Sequence, residues 1–169
     1  SIIFLSNNEK IKSSLVVAAD TRFSKTRSKM GISSFIRNFN KHMIVCRMEH
    51  EKPHGNIAYE YFQYDQTLAL LPYINNQSSI VATVFKNQAD TLLKLNVNEF
   101  NSQMENNFNN QFGKMKLIGK RYSYPMITVY SKKFVANRFA LIGDAAVGMH
   151  PVTAHGFNLG LKGIEILSN

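Results

Sequence analysis

Near its carboxyl end the chain reads RFALIGDAAVGMHPVTAHGFNLGLKGIEIL, residues 138–167, and three kinds of residue there could do chemistry together. Asp144 is a carboxylate directly after an apolar, strand-like run, His150 and His155 flank Pro151, and Gly156, Gly160 and Gly163 recur behind them. A carboxylate at the carboxyl end of a strand sits where open α/β sheets collect ligands, and it can accept hydrogen bonds from sugar or polyol hydroxyls. Its simpler use is to cap the following turn. Glycine costs roughly 1 kcal/mol against alanine inside a helix. A helix over 155–167 with glycines at i, i+4 and i+7 therefore predicts a bare face against which a strand or a flat ligand lies. Such a helix starts after Pro151 and Thr153. Its first N–H groups, carrying about half a positive charge, favour an anion or an electron-rich carbonyl. For His150 and His155, a loop hydrogen bond or a cap is as good a use as proton transfer. Five histidines without metal-like spacing argue against zinc, and no catalytic triad is visible.

The elements that must position these residues follow from the pattern upstream. IKSSLVVAAD (Ile11–Asp20) is β-rich, and Ser24 caps a short helix that Gly31 stops. From His42 onward HMIVCRMEH, NIAYEYFQY, TLALLPYI and SIVATVF read as strands, separated by turn-like EKPHG, DQ and NNQS. Connections this short predict antiparallel neighbours. Tyr59 and Tyr61 share a sheet face opposite Glu60, so they either wall a pocket or cover a helix. Val97, Phe100, Met104, Phe108 and Phe112 fall three or four apart, an amphipathic helix whose stripe is core. GKMKLIG and YPMITVY are two further strands before FALIG.

The 169 residues, 44% of them apolar, suit one packed domain or a pair of subdomains, and no run is long enough to span a membrane as a helix. The single cysteine, Cys46, lies in an apolar run and reads as a small buried hydrophobe. The absence of a disulfide and of a signal peptide points to the cytoplasm. The net charge of +9 is scattered, densest at Lys25–Lys29, with no nucleic-acid recognition motif beside it. The opening SIIFL, without Met, reads as a strand in need of a partner and as part of something longer.

ALIGDAAVGMHPVTAHGFNLGL closely resembles the second FAD-contacting motif of single-component flavin-dependent aromatic hydroxylases: strand, Gly-Asp-Ala-Ala, His-Pro loop, then Gly-Gln-Gly-x-Asn-x-Gly. The resemblance implies that Asp144 binds the ribityl chain of the flavin and that the helix start faces the pyrimidine edge of its ring. The residues it assigns to the cofactor are Gly143, Asp144, Ala145, Pro151, His155, Gly156, Phe157 and Asn158. Ala154 and His155 stand where the family has Gly and Gln, and Gly163 where an acidic residue is common. LVVAADTRFSKTR resembles the family's middle motif, associated with both FAD and NAD(P)H, and adds Asp20 and Arg27, with Ser24 also matching and Thr21 in place of a glycine. HEKPHGNIAYEYFQYDQTLALLPY is similar to the substrate-domain signature of the ubiquinone-biosynthesis branch, with Tyr61 in place of an arginine.

This resemblance implies an α/β (α+β) fold, with a mixed, largely antiparallel substrate-domain sheet, packed helices and partial Rossmann-like FAD-binding elements. Residues 1–34 and 134–169 are expected in the FAD domain and 35–133 in the substrate domain. The family's first motif, Gly-x-Gly-x-x-Gly for the FAD pyrophosphate, does not occur in the 169 residues, so an internal or carboxyl-terminal piece of a hydroxylase is expected, inactive alone. In the family, NAD(P)H reduces FAD and O2 adds as a C4a-hydroperoxide. That species hydroxylates an activated ring, here an aromatic, prenylated quinone precursor, which suggests peripheral contact with the inner membrane or with a ubiquinone-biosynthesis complex. The rival reading is a non-catalytic interaction or membrane-docking module derived from a truncated hydroxylase.

Overall fold

The computed structural model describes residues 2–151 and 155–169 and divides into two compact units. Unit 1 comprises Ser1–Asn38 and Ile127–Asn169, and unit 2 is the continuous stretch Phe39–Met126. Two long strands, β4 (Ser34–His50) and β8 (Met115–Ser131), run from one into the other.

In unit 2, β4 and β8 are joined by β5 (Tyr59–Phe62), β6 (Thr67–Pro72) and β7 (Gln77–Phe85) in the sheet order β8-β4-β7-β6-β5. The β4–β7, β6–β7 and β5–β6 ladders are antiparallel. Strict alternation along β7 sends Ser78, Ile80, Ala82 and Val84 to the buried face. The register sets Cys46 opposite Ile80, Ile80 opposite Leu70, and Leu70 opposite Tyr59.

This row packs under α2 (Lys86–Lys94) and α3 (Val97–Asn107) in one core with Phe100, Met104, Phe108 and Phe112. The aromatic stripe is core, as its spacing predicts, except that Val97 is exposed and Phe108 and Phe112 lie just past the end of α3. Asn96 caps α3 by accepting from the Glu99 N–H, while the Glu99 carboxylate accepts from the Asn96 N–H. Tyr59 and Tyr61 meet Phe112 and Phe108 edge to face, so the tyrosines cover the helix side. Cys46 is buried among these residues, and burial pushes its thiol pKa up to about 12.

Two expectations change here. The short DQ and NNQS connections join antiparallel neighbours, but the EKPHG connection does not, because β5 lies at the sheet edge beyond β6 and β7. Residues 51–58, at about 3.3 Å each, easily cross three strand spacings of about 4.8 Å. The loop is anchored on the way: the buried His50 ring bonds the Lys52 carbonyl and the Ser78 hydroxyl, and the Glu51 carboxylate accepts from the Lys114 N–H. GKMKLIG and YPMITVY are one strand, β8, which passes through Gly119 at φ +78° instead of stopping there.

In unit 1, β3 (Val16–Ala18) pairs in parallel with β10 (Phe139–Leu141), and β9 (Val135–Ala136) pairs antiparallel on the other edge of β10. β1 (Ile2–Phe4) and β2 (Lys10–Lys12) form a hairpin, so the partner that SIIFL asks for is its own neighbour. α1 (Lys25–Lys29) starts where expected, with the Ser24 hydroxyl accepting from the Arg27 N–H, and Gly31 follows at φ +68°. β11 (Val147–Gly148) pairs with the end of β8 at Tyr130 and Val129.

α4 (Gly156–Ser168) carries the three glycines, and only Gly160 approaches another backbone. A Cβ there would lie 3.8 Å from the Gly143 Cα, an ordinary contact, whereas Gly156 and Gly163 have nothing within 4 Å. The bare face is open. Gly163→Ala is therefore expected to stabilise α4 by up to about 1 kcal/mol and raise the melting temperature read by circular dichroism. A lowered melting temperature would show that something already fills that face.

Candidate functional site

Parallel pairing sets the carboxyl ends of β3 and β10 side by side, Ala18 opposite Leu141, and the ladder closes with the Ile142 N–H donating to the Ala18 carbonyl at 3.1 Å. The two motif-bearing loops therefore leave the sheet at the same edge, although they lie more than a hundred residues apart in sequence. β10 is wholly buried, which fixes where its loop begins.

Gly143–Ala145 forms a 3-10 turn. Gly143 has φ +56°, with nothing within 4 Å of where a Cβ would sit, so this glycine serves the left-handed backbone and not a tight fit. The turn closes with the Ala146 N–H donating to the Gly143 carbonyl at 3.0 Å. Among the described residues no backbone N–H donates to the Asp144 carboxylate, so the contact expected of a turn cap is not made. The carboxylate partner is Arg22: Nε and Nη2 both donate to Oδ2, at 2.9 and 2.6 Å, and Nη1 donates to the Ile127 carbonyl at 2.8 Å. The Asp144 side chain keeps 43% exposure.

Arg27 is 3% exposed, and its guanidinium is spent on the Ala145 carbonyl at 2.8 Å and the Arg22 carbonyl at 3.1 Å. It braces the 3-10 turn from α1, and reaches a ligand only through the loop it holds. The Ser131 hydroxyl donates to the same Ala145 carbonyl. Asp20 accepts from the N–H and hydroxyl of Thr26, across the start of α1. Burial raises the Asp20 pKa, but hydrogen bonds led by Ser24 and the Thr26 N–H outweigh it and hold the carboxyl below its ordinary value. Thr21, where a glycine is usual in the resembling motif, stays out of the left-handed region, so the turn after Asp20 needs no glycine.

The two motifs thus meet at Arg27 and Ala145, while Asp20 stays within its own turn. Ala145 is buried, and His150 is half-buried beside the exposed Pro151. Thr153 and Ala154 fall outside the described residues. His155 precedes α4 without a side-chain cap bond, leaving the N–H groups of Gly156, Phe157 and Asn158 at an exposed helix start, with Phe157 at 76% exposure. Sequence reasoning missed Arg22, Ser131 and Gly148. A Cβ on Gly148 would lie 2.9 Å from the Arg22 Cβ, so this glycine gives the arginine its path. No local signal ties Arg22 to a carboxylate 122 residues away.

The arrangement suits a polyol carrying a flat heterocycle: a carboxylate with exposed accepting capacity, a glycine turn that lets a ligand approach the backbone, and a helix start that the His155 side chain does not cap. Comparison with known proteins gives the family of the chain. The chain is 41% identical to a ubiquinone hydroxylase, UbiM, of Neisseria meningitidis over 98% of its own length and 36% of that protein. It is 35% identical to a ubiquinone hydroxylase, UbiL, of Rhodospirillum rubrum over 97% of its length and 38% of that protein. The chain thus spans well under half the length of these curated relatives. Its fold matches the crystal structure of Pseudomonas aeruginosa PqsL in complex with 2-aminobenzoylacetate with a TM-score of 0.77 at 17% identity, over 95% of this chain and 46% of that one. A sequence profile described as an FAD binding domain covers residues 5–168, and the chain belongs to that family.

Proposed function

We propose that unit 1 holds the ribityl chain and ring edge of FAD, and that unit 2 forms the substrate side of an enzyme hydroxylating an aromatic, prenylated quinone precursor. The observation that carries this reading is Asp144, presented at the carboxyl end of the parallel β3–β10 pair with its carboxylate 43% exposed. When bound, FAD supplies the redox chemistry, taking electrons from NAD(P)H and delivering one oxygen atom of O2 to the ring. The residues of the chain bind and orient. Asp144 accepts from a ribityl hydroxyl, the N–H groups of Gly156, Phe157 and Asn158 face the electron-rich edge of the ring, and Arg27 and Ser131 hold the Ala145 carbonyl and so the turn between them. The two relatives named as ubiquinone hydroxylases support the substrate class. Such a substrate lives in lipid, and the net charge of +9 suits docking on an anionic membrane face.

No Gly-x-Gly-x-x-Gly occurs in these residues to cradle a pyrophosphate. The chain is therefore expected to bind FAD no more tightly than FMN, which lacks the adenylate half, with the two affinities equal within about threefold and both weaker than micromolar. Titration of the 169-residue chain with each flavin, followed by amide NMR shifts, measures both. Submicromolar FAD binding would overturn the claim that only the ribityl and ring side is present.

A further inference from the structure

We propose that Arg22 is the positioning residue of the flavin carboxylate: it fixes Asp144 by one oxygen so that the other is presented to the ligand. This rests on the flavin reading above and adds to it a residue that the motif resemblance does not assign.

The geometry carries the inference. An arginine paired fork to fork with a carboxylate occupies both of its oxygens. Here both N–H groups converge on Oδ2, and among the described residues no hydrogen bond reaches Oδ1. The third bond, from Nη1 to the Ile127 carbonyl at 2.8 Å, holds the guanidinium in place behind the carboxylate. Its stem is fixed as well, since it crosses Gly148 at a separation that leaves no room for a methyl group. An exposed ion pair held only by charge would wander. This one is tied at the head by three donors and at the stem by a glycine, with the arginine side chain 23% exposed.

The consequence is rotameric. A free aspartate divides its time among three staggered χ1 wells, so locking it in one is worth about threefold in the population that can accept from a fixed hydroxyl, and somewhat more with its second torsion. Arg22→Ala is thus expected to weaken FMN binding about three- to tenfold, by releasing Asp144 and not by removing a ligand contact.

The test is a double-mutant cycle on the chain, using FMN as the probe and amide NMR shifts for both affinity and fold. The variants are Arg22→Ala, Asp144→Ala and the pair together. The expected result is that Arg22→Ala weakens binding in the parent but has no effect in the Asp144→Ala background, a non-additivity that a merely structural role does not produce. If Asp144→Ala weakens binding while Arg22→Ala is neutral, additive or tightening, the positioning role is overturned and the flavin site stands. If Asp144→Ala leaves affinity unchanged, both fall. Should Arg22→Ala not fold, Gly148→Ala displaces the arginine stem while keeping both charges. It is expected to reproduce the loss, and unchanged affinity with a displaced Arg22 signal would overturn the proposal.

Discussion

Asp144→Ala is expected to weaken flavin binding roughly tenfold to over a hundredfold, the equivalent of the about 1.5 to 3 kcal/mol of a hydrogen bond to a charged acceptor. In the FMN titration this removes saturation within the range that saturates the parent. The fold is expected to survive, because the carboxylate makes no bond to the backbone of its own turn, and the turn is closed by Ala146 onto Gly143. What the substitution does leave is Arg22 with its bond to Ile127 alone; at 23% exposure the released N–H groups find water. If Asp144 stabilised only the turn, the same change would lower the melting temperature and leave affinity untouched. Measuring both on one variant separates the two, and unchanged affinity removes Asp144 from the site.

Phe100→Ala is the largest expected effect on stability, about 3 to 5 kcal/mol, which is much of what a domain of this size has to lose. Phe100 is 0% exposed in the core of unit 2, and its ring also lies under the Arg121 guanidinium at 4.8 Å. Arg121 in turn donates to the Leu92 and Leu95 carbonyls at the end of α2, so truncating the ring loosens the joint between two helices. The chain has no tryptophan, but it has one cysteine, buried in that core with its thiol pKa pushed up to about 12. Labelling of Cys46 by a thiol reagent across a urea series therefore reports the opening of unit 2. The variant is expected to label at a midpoint lower by roughly 1 M or more. An unchanged midpoint would mean that the α3 stripe does not hold the sheet.

Much of this was legible because it is local or periodic. The Phe100, Met104, Phe108 stripe, the alternation of Tyr59 and Tyr61 along β5, and the Ser24 cap with Gly31 beyond it each encode their element within a few residues. The fold class followed from the motif resemblance, and the place of Asp144 after a strand from the apolar run before it. What escaped depends on pairings distant in sequence. EKPHG looks like a hairpin turn, and nothing in those residues says that β7 and β6 will insert between β4 and β5. α2 carries a single buried residue, Ala89, and too few apolar positions to show a period. The glycines of α4 predict a bare face for a strand or a flat ligand. Two of the three meet open space, because α4 has no buried residue among those described here. The proposed site was half legible: the Asp144 carboxylate was visible in the motif, but its ion pair with Arg22 was not.

The division of the chain also sets an order of events during folding. Unit 2 is continuous, so all its residues emerge from a ribosome before β10 does, whereas unit 1 waits for its second half. Left open, the roughly 90 residues between those halves would cost about 4 kcal/mol of loop-closure entropy, beyond a constant, to bring β3 to β10. β4 and β8, the strands by which the chain enters and leaves unit 2, are neighbours in its sheet. Once that sheet exists, most of the closure has already been accomplished. Asp144 and Arg22, on opposite sides of that long gap in sequence, are then brought together last, with the β8 carbonyl of Ile127 already in place to receive the arginine.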